Sequence, residues 1–188
     1  MNTVFFTGNG DGGESVVGKK RVEKDHPVLG FLGSLDELNS VIGWCRSTAD
    51  ELEDAEDGVS CATALRRIQE LLFIMQAEIA GALFGYASSK KITSAHITHI
   101  EESIKKIDGT IPTIKNFIIP GGCELSTRID IARAISRRVE RDAVIMRKTF
   151  EVSPEVMAFL NRISSILFAL ARYANYARGI REEHPTYE

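Results

Sequence analysis

From Pro27 onward, apolar residues recur at intervals of three and four, and a chain patterned in this way must bury one stripe of each helix against other helices. Val28, Phe31, Leu32, Leu35, Leu38, Ile42 and Cys45 mark one face of a first helix, expected to end near Ala49. An acidic loop, DELEDAEDG, separates it from a second helix carrying Ala62, Leu65, Ile68, Leu72, Met75, Ile79 and Leu83 and closed by Gly85. Ile97, Ile100, Ile104, Ile107 and Ile111 give a third helix with strict bundle-seam spacing. The segment IPTIKNFIIPGG reads as a loop, because two prolines and two glycines break any helix. A fourth helix is expected from Glu124 to Phe150, with Leu125, Ile129, Ala132, Val139, Ala143 and Met146 inside. Ser153-Pro154-Glu155 opens a fifth with a capping serine, proline at the first position and an acid in the first turn. Met157, Leu160, Ser164, Leu167, Ala171 and Ala174 carry its inner face to about Arg178, and Gly179 follows as the cap. The expected fold is all-α, a five-helix bundle over residues 27–188 behind an irregular Gly-rich N-terminal arm over 1–26, together one domain.

The arm contains TVFFTGNGDGGESVVGKK, which matches two nucleotide-binding patterns and meets the structural requirements of neither. Gly8, Gly10 and Gly13 satisfy G-x-G-x-x-G, but no helix opens at the glycines and no second strand with a terminal acid follows. Gly13 to Lys19 satisfies G-x-x-x-x-G-K, but Lys20 stands where a hydroxyl should hold magnesium. What survives is a segment of backbone N–H groups able to close around an anion, or else a flexible arm.

A chain of 188 residues with 44% hydrophobic content is long enough for one real core, and a net charge of −3 argues against general nucleic-acid binding. The sequence has no uninterrupted apolar run of membrane-spanning length and no signal-peptide pattern. Cys45, Cys61 and Cys123, three in number and far apart, read as reduced thiols of a cytoplasmic protein. His96 and His99 stand at metal-ligand spacing with no third ligand nearby in sequence, so a solvated helix face is the better reading and no dedicated protein metal site is expected.

The chemistry concentrates on the fourth helix. Arg133, Arg137 and Arg141 recur every four residues, which puts three guanidinium groups on one stripe, with Arg138 and Glu140 beside them. Adjacent like charges at that spacing repel by a few tenths of a kcal/mol each. A polyphosphate would offset the repulsion, as would carboxylates from a neighbouring helix or subunit; a solvated stripe is the plain alternative. Asp36, in GSLDELNS, borders the first apolar face and calls for a cation, for which Arg133 is a candidate. Asn161 borders the inner face of the fifth helix, placed to hydrogen-bond a ligand or a neighbouring helix. Phe117 lies beside the bend of KNFIIPGG, where packing onto the bundle is the simplest expectation.

Six ordered segments, TGNGDGG, RVEKDHP, GSLDELNSVIG, FIIPGG, ARAISRRVER and SPEVMAFLNRISSILFALARYAN, resemble the propanediol-utilisation type of ATP:cob(I)alamin adenosyltransferase over nearly the whole chain. The resemblance implies a homotrimer with magnesium-ATP between one subunit's arm and the next subunit's fourth helix. Thr7, Gly8, Asn9, Gly10, Gly13, Ser15 and Lys24 would supply the arm's share of the ATP site, and Arg137, Arg138, Glu140, Arg141 and Asn161 the rest. It also implies an Asp36 to Arg133 pair across the interface near the corrinoid, and a Phe117 ring under the corrin that keeps the axial base off cobalt. A reductase supplying cob(I)alamin and an adenosylcobalamin-dependent enzyme are the implied partners. The arm departs from the family's usual Thr-Lys/Arg-Thr/Asn-Gly-Asp-Lys-Gly, since Gly8 and Gly12 replace both basic residues, and the C-terminal tail is short. Two competing readings follow: a non-catalytic trimer binding a nucleotide or corrinoid as chaperone or sensor, and a purely structural bundle whose arginines pair with acids in an oligomer.

Overall fold

Each helix begins where the sequence offers a group to take up its first free N–H. A computed structural model describes residues 5, 6, 8–17, 20–49, 58–86 and 88–187. In α1 (Pro27–Arg46), His26 Nδ1 accepts from the Val28 N–H at 3.2 Å and proline holds the first position. In α2 (Cys61–Phe84), Ser60 Oγ accepts from the Thr63 N–H at 3.1 Å. Thr93 and His96 form a reciprocal capping box at the start of α3 (Ser94–Thr110). Cys123 Sγ accepts from the Ser126 N–H at the start of α4 (Glu124–Met146), and Ser153 Oγ from the Val156 N–H at the start of α5 (Pro154–Ala177).

Five helices therefore form, as the periodicity requires, with α4 lying between α1 and α5, α2 against α1, and α3 against α5. Two ends fall short of expectation. Ala49 and Phe150 lie beyond the last helical turns, at Arg46 and Met146, in short non-helical turns such as the Thr149 N–H to Met146 carbonyl bond at 3.0 Å. The isoleucine stripe of α3 is buried at Ile100 and Ile107 and half-buried at Ile97 and Ile104, with Ile111 buried just past the helix end. By composition alone α5 is apolar and long enough to cross a bilayer. Its Phe159, Leu160, Ile163, Leu167 and Leu170 are instead buried in the core, where each contributes about 1.5–3 kcal/mol.

The arm is not irregular. After the glycine-rich turns, β1 (Glu14–Val17) pairs antiparallel with β2 (Lys20–Glu23), Ser15 opposite Val22 and Val16 opposite Arg21. Glu14 faces Glu23, and Arg21 Nη1 relieves that like-charge pairing by bonding Glu14 Oε2 at 2.7 Å. Strands of four residues carry too few alternations to register against the helical pattern, and only Val16, Val17 and Val22 signalled them.

Candidate functional site

Burial of Leu125, Ile129, Ala132, Val139, Ala143 and Met146 fixes the rotation of α4 and so turns its arginine stripe outward. Along that stripe the three arginines meet different fates. Arg133 is half-buried, its Nε 3.1 Å from Asp130 Oδ1 and its guanidinium 5.7 Å from the centre of the Phe168 ring. Arg137 and Arg141 are exposed and have no ion-pair partner among the described residues. Arg138 points aside, pairing with Glu37 Oε2 of α1 at 2.5 Å. Two uncompensated guanidinium groups one turn apart are a standing invitation to an anion with several oxygens.

Beside them, Asn161 Nδ2 of α5 donates to Glu140 Oε1 at 3.0 Å, and its Oδ1 accepts from Arg162 Nη1 at 2.7 Å. Both ends of that amide are held, so its orientation is fixed. Asp36 lies exposed on α1 with no partner among the described residues. Within one chain, then, Arg133 turns to Asp130.

The loop after α3 carries Phe117, whose side chain is 80% exposed rather than packed onto the bundle. Together with Ile118, Arg133, Arg137, Ser164 and Phe168 it lines a cleft of about 470 Å³. Its lining is both aromatic and cationic. The far end of the loop is tightly fastened: the Gly121 N–H donates to Asp130 Oδ2 at 3.2 Å, and the Gly121 carbonyl accepts from Asn175 Nδ2 at 2.8 Å and Ser126 Oγ at 3.1 Å. Asn175 Oδ1 also accepts from the Cys123 N–H at 2.9 Å. A Cβ on Gly122, which has a φ of 115°, would fall 2.3 Å from that same oxygen, so only glycine fits. Asp130 thus ties the Phe117 loop and Arg133 to one carboxylate.

In the arm, the Gly8 carbonyl accepts from the Asp11 N–H at 3.2 Å and the Gly10 carbonyl from the Gly13 N–H at 3.3 Å, forming two overlapping turns, the first of which contains Asn9. Lys24 Nζ crosses the turn to the Gly10 carbonyl at 2.6 Å, and Ser15 sits on β1 just beyond. Lys20 Nζ bonds the Leu83 carbonyl at 3.3 Å, anchoring the hairpin at the end of α2. Thr7 lies outside the described residues.

The profile of a family described as cobalamin adenosyltransferase matches residues 5–174. The chain belongs to the cobalamin adenosyltransferase family. It is 33% identical over 176 residues to a corrinoid adenosyltransferase of Bacillus subtilis, covering 94% of this chain and 89% of that protein. It is 34% identical over 190 residues to the corrinoid adenosyltransferase PduO of Salmonella typhimurium, covering 97% of this chain but spanning only 54% of that longer protein. A variant of the PduO-type ATP:corrinoid adenosyltransferase of Lactobacillus reuteri, complexed with cobalamin and ATP, superposes with a TM-score of 0.85 at 30% identity, over 97% of this chain and 96% of that one. A second variant of that enzyme, complexed with ATP, gives 0.86 at 31% identity, over 96% and 99%.

For a cobalamin adenosyltransferase, the sequence reading omitted three residues that hold the cleft: Asp130, Phe168 and Asn175. Asp130 was visible as an acid three residues before Arg133, a helical ion-pair spacing. Asn175 was visible as a polar residue next to the inner-face Ala174 near the end of α5. Phe168 gave no such signal, since an aromatic next to inner-face Leu167 reads as core.

Proposed function

We infer that the chain is an ATP:corrinoid adenosyltransferase, which transfers the 5′-deoxyadenosyl group of ATP to the cobalt of cob(I)alamin or a related corrinoid and releases triphosphate. The observation that carries this is the cleft lined by Phe117, Phe168, Arg133 and Arg137, on the same stripe as an Arg141 that has no ion-pair partner among the described residues, in a member of this family. Cobalt(I) is itself the nucleophile. Its electron pair forms the bond to C5′ while the C5′–O bond breaks and its electrons leave on the triphosphate, so cobalt ends formally as cobalt(III) and no general base is needed. The protein then has two tasks, alignment of cobalt with C5′ and neutralisation of the charge gathering on the leaving group.

In this reading Arg137 and Arg141 meet the phosphates, with Arg138 released from Glu37 to join them, and Glu140 and Asn161 border the nucleoside. The arm, through Thr7, Gly8, Asn9, Gly10, Gly13, Ser15 and Lys24, completes the site on a neighbouring subunit of a homotrimer. Phe5 and Phe6 of that arm are 93% and 76% exposed in the single chain, as suits a segment that finds its cover elsewhere. Asp36 pairs with Arg133 across the same interface, and Phe117 takes the lower face of the corrin. Its ring excludes an axial base, which makes one-electron reduction of cobalt easier. Magnesium, an ion commonly held by substrate phosphates with few protein ligands, would arrive with ATP and help neutralise the charge on the leaving triphosphate. The arm of residues 1–26 and the bundle of 27–188 act as one unit in the cytoplasm, where the three buried thiols stay reduced. A reductase supplies cobalt(I), and an adenosylcobalamin-dependent enzyme takes the product.

The replacement of two arm cations by Gly8 and Gly12 favours a second reading, a trimer that binds nucleotide or corrinoid without turnover. ATP labelled at C5′ in one sample and at the γ-phosphate in another separates the two. Transfer requires the C5′ label on the corrinoid and the γ label in free triphosphate; binding without either label moving supports the non-catalytic trimer.

A further inference from the structure

The C-terminal segment after α5 does not trail into solvent but runs back along the Phe117 loop. Arg172, near the end of α5, is buried to 7% exposure and holds the segment with a two-pronged ion pair: Nε to Glu182 Oε1 at 2.7 Å and Nη2 to Glu182 Oε2 at 2.9 Å. The same Nη2 donates to the Pro112 carbonyl at 2.8 Å, at the near end of the loop. One residue further, the Glu183 carbonyl accepts from the Ile119 N–H at 2.9 Å, and His184 Nδ1 lies 2.7 Å from the Phe117 carbonyl. The bonds from Asp130, Ser126 and Asn175 secure only the Gly121 end, so the stretch that carries Phe117 itself is restrained from Arg172 and the tail.

We propose that Arg172, Glu182 and His184 are positioning residues for Phe117: a strap, anchored on one buried guanidinium, that sets the height of the ring in the corrinoid cleft. An exposed aromatic on a loop between two prolines has no packing to fix it, and its ring must stand at one distance from a corrin plane to keep an axial base away. A buried bidentate pair is the strongest restraint available at such a site, and breaking it on one side leaves a desolvated charge. Arg172 and Glu182 share a small cavity with Arg133, the stripe member at the corrinoid cleft, while among the described residues Arg137 and Arg141 line no cavity with them, so the loss of the strap should be felt by the corrinoid and not by ATP.

The inference rests on the corrinoid reading above, and the test keeps the two apart. Glu182→Gln weakens the anchor without changing its shape, and His184→Ala removes the bond at Phe117 without touching the buried arginine. Hydrogen–deuterium exchange over residues 114–119 of the unliganded protein reads the strap directly through the Ile119 amide. Each variant should exchange there roughly tenfold faster, with the rest of the bundle unchanged. In steady-state assays with reduced cobalamin, the same variants should raise the corrinoid KM or lower kcat by about tenfold while the ATP KM stays within about twofold. Unchanged exchange in both variants overturns the strap. Faster exchange with unaltered corrinoid kinetics overturns the positioning role, as does an equal rise in both KM values. A parent protein without adenosyl transfer refutes the corrinoid reading and the positioning role with it, while the exchange data still decide whether the strap exists.

Discussion

Asn161 Nδ2 on α5 and Glu140 Oε1 on α4 stand 3.0 Å apart, with the other end of the Asn161 amide held by Arg162, so a polar group at the edge of the cleft is fixed in direction. Asn161 itself is exposed, and fixing an exposed amide by two bonds contributes little to folding. Asn161→Ala should therefore change the unfolding free energy by no more than about 0.5 kcal/mol, while lowering kcat/KM for ATP roughly tenfold. Thermal melts and steady-state kinetics on the same preparation check both halves; a large loss of stability with unchanged kinetics would make the residue a helix clamp.

Arg137 and Arg141 carry the clearest charge argument, because neither has an ion-pair partner among the described residues. Arg137→Ala and Arg141→Ala should each raise the ATP KM or lower turnover by about ten- to a hundredfold, the worth of charge-assisted bonds of about 1.5–3 kcal/mol. Stability should hold or rise slightly as helical repulsion is relieved. Unchanged kinetics in both variants would leave the stripe a solvated face.

Asp36→Ala tests the contact between chains. Since Arg133 retains Asp130 at 3.1 Å, the substitution does not strand a lone cation, and its effect on assembly should be about 1–3 kcal/mol rather than the full cost of an orphaned buried charge. Sedimentation should give a trimer for the parent and concentration-dependent dissociation for the variant. A monomeric parent with full activity would remove the interface from the account.

The arm offers a gain-of-function test. Gly12 has no positive φ and a Cβ there meets nothing within 4 Å, so a side chain is accepted, whereas Gly8 has a φ of 73°. Gly12→Lys should tighten ATP binding by about two- to tenfold, with the gain shrinking as salt rises. Gly12→Ala controls for the backbone. Titration calorimetry at low and high salt checks it; alanine tolerated and lysine without effect would turn the arm away from the phosphates.

His96 makes one pH prediction. Burial lowers its pKa below the ordinary 6.5, helped by the Arg67 and His99 charges, and its Nδ1 accepts from the Thr93 N–H at 3.2 Å, which requires the unprotonated ring. A pKa depressed in the folded state gives stability that is present above the unfolded value and lost as pH falls through the folded one. The Tm should drop between about pH 7 and pH 5 more steeply for the parent than for His96→Gln. Equal slopes would show that the capping box does not feel the proton.

How much of this was legible beforehand follows the range of each interaction. Helix existence, the Ser153 and Gly85 ends and the outward turn of Arg137 are set by residues three or four apart, and the sequence displays them directly. The hairpin was missed because Val16, Val17 and Val22 are too few to outweigh a glycine-rich reading. Phe117 looked like a packed loop aromatic because its exposure depends on bonds from Asp130, Asn175 and His184, which lie 13 to 67 positions away and leave no periodic trace. Arg133 was read as the partner of Asp36 in a contact between chains, and the nearer acid it meets within the chain, Asp130 three residues back, was not singled out.

Adenosyl transfer itself is the most direct test of the cleft's role. Under anaerobic conditions, the protein with reduced cobalamin, ATP and magnesium should convert the cob(I)alamin spectrum to that of a light-sensitive alkylcobalamin, with one triphosphate released per corrinoid, and Phe117→Ala should slow it. A cob(I)alamin spectrum that persists with ATP bound and no triphosphate formed would contradict the account and leave a binding protein in its place.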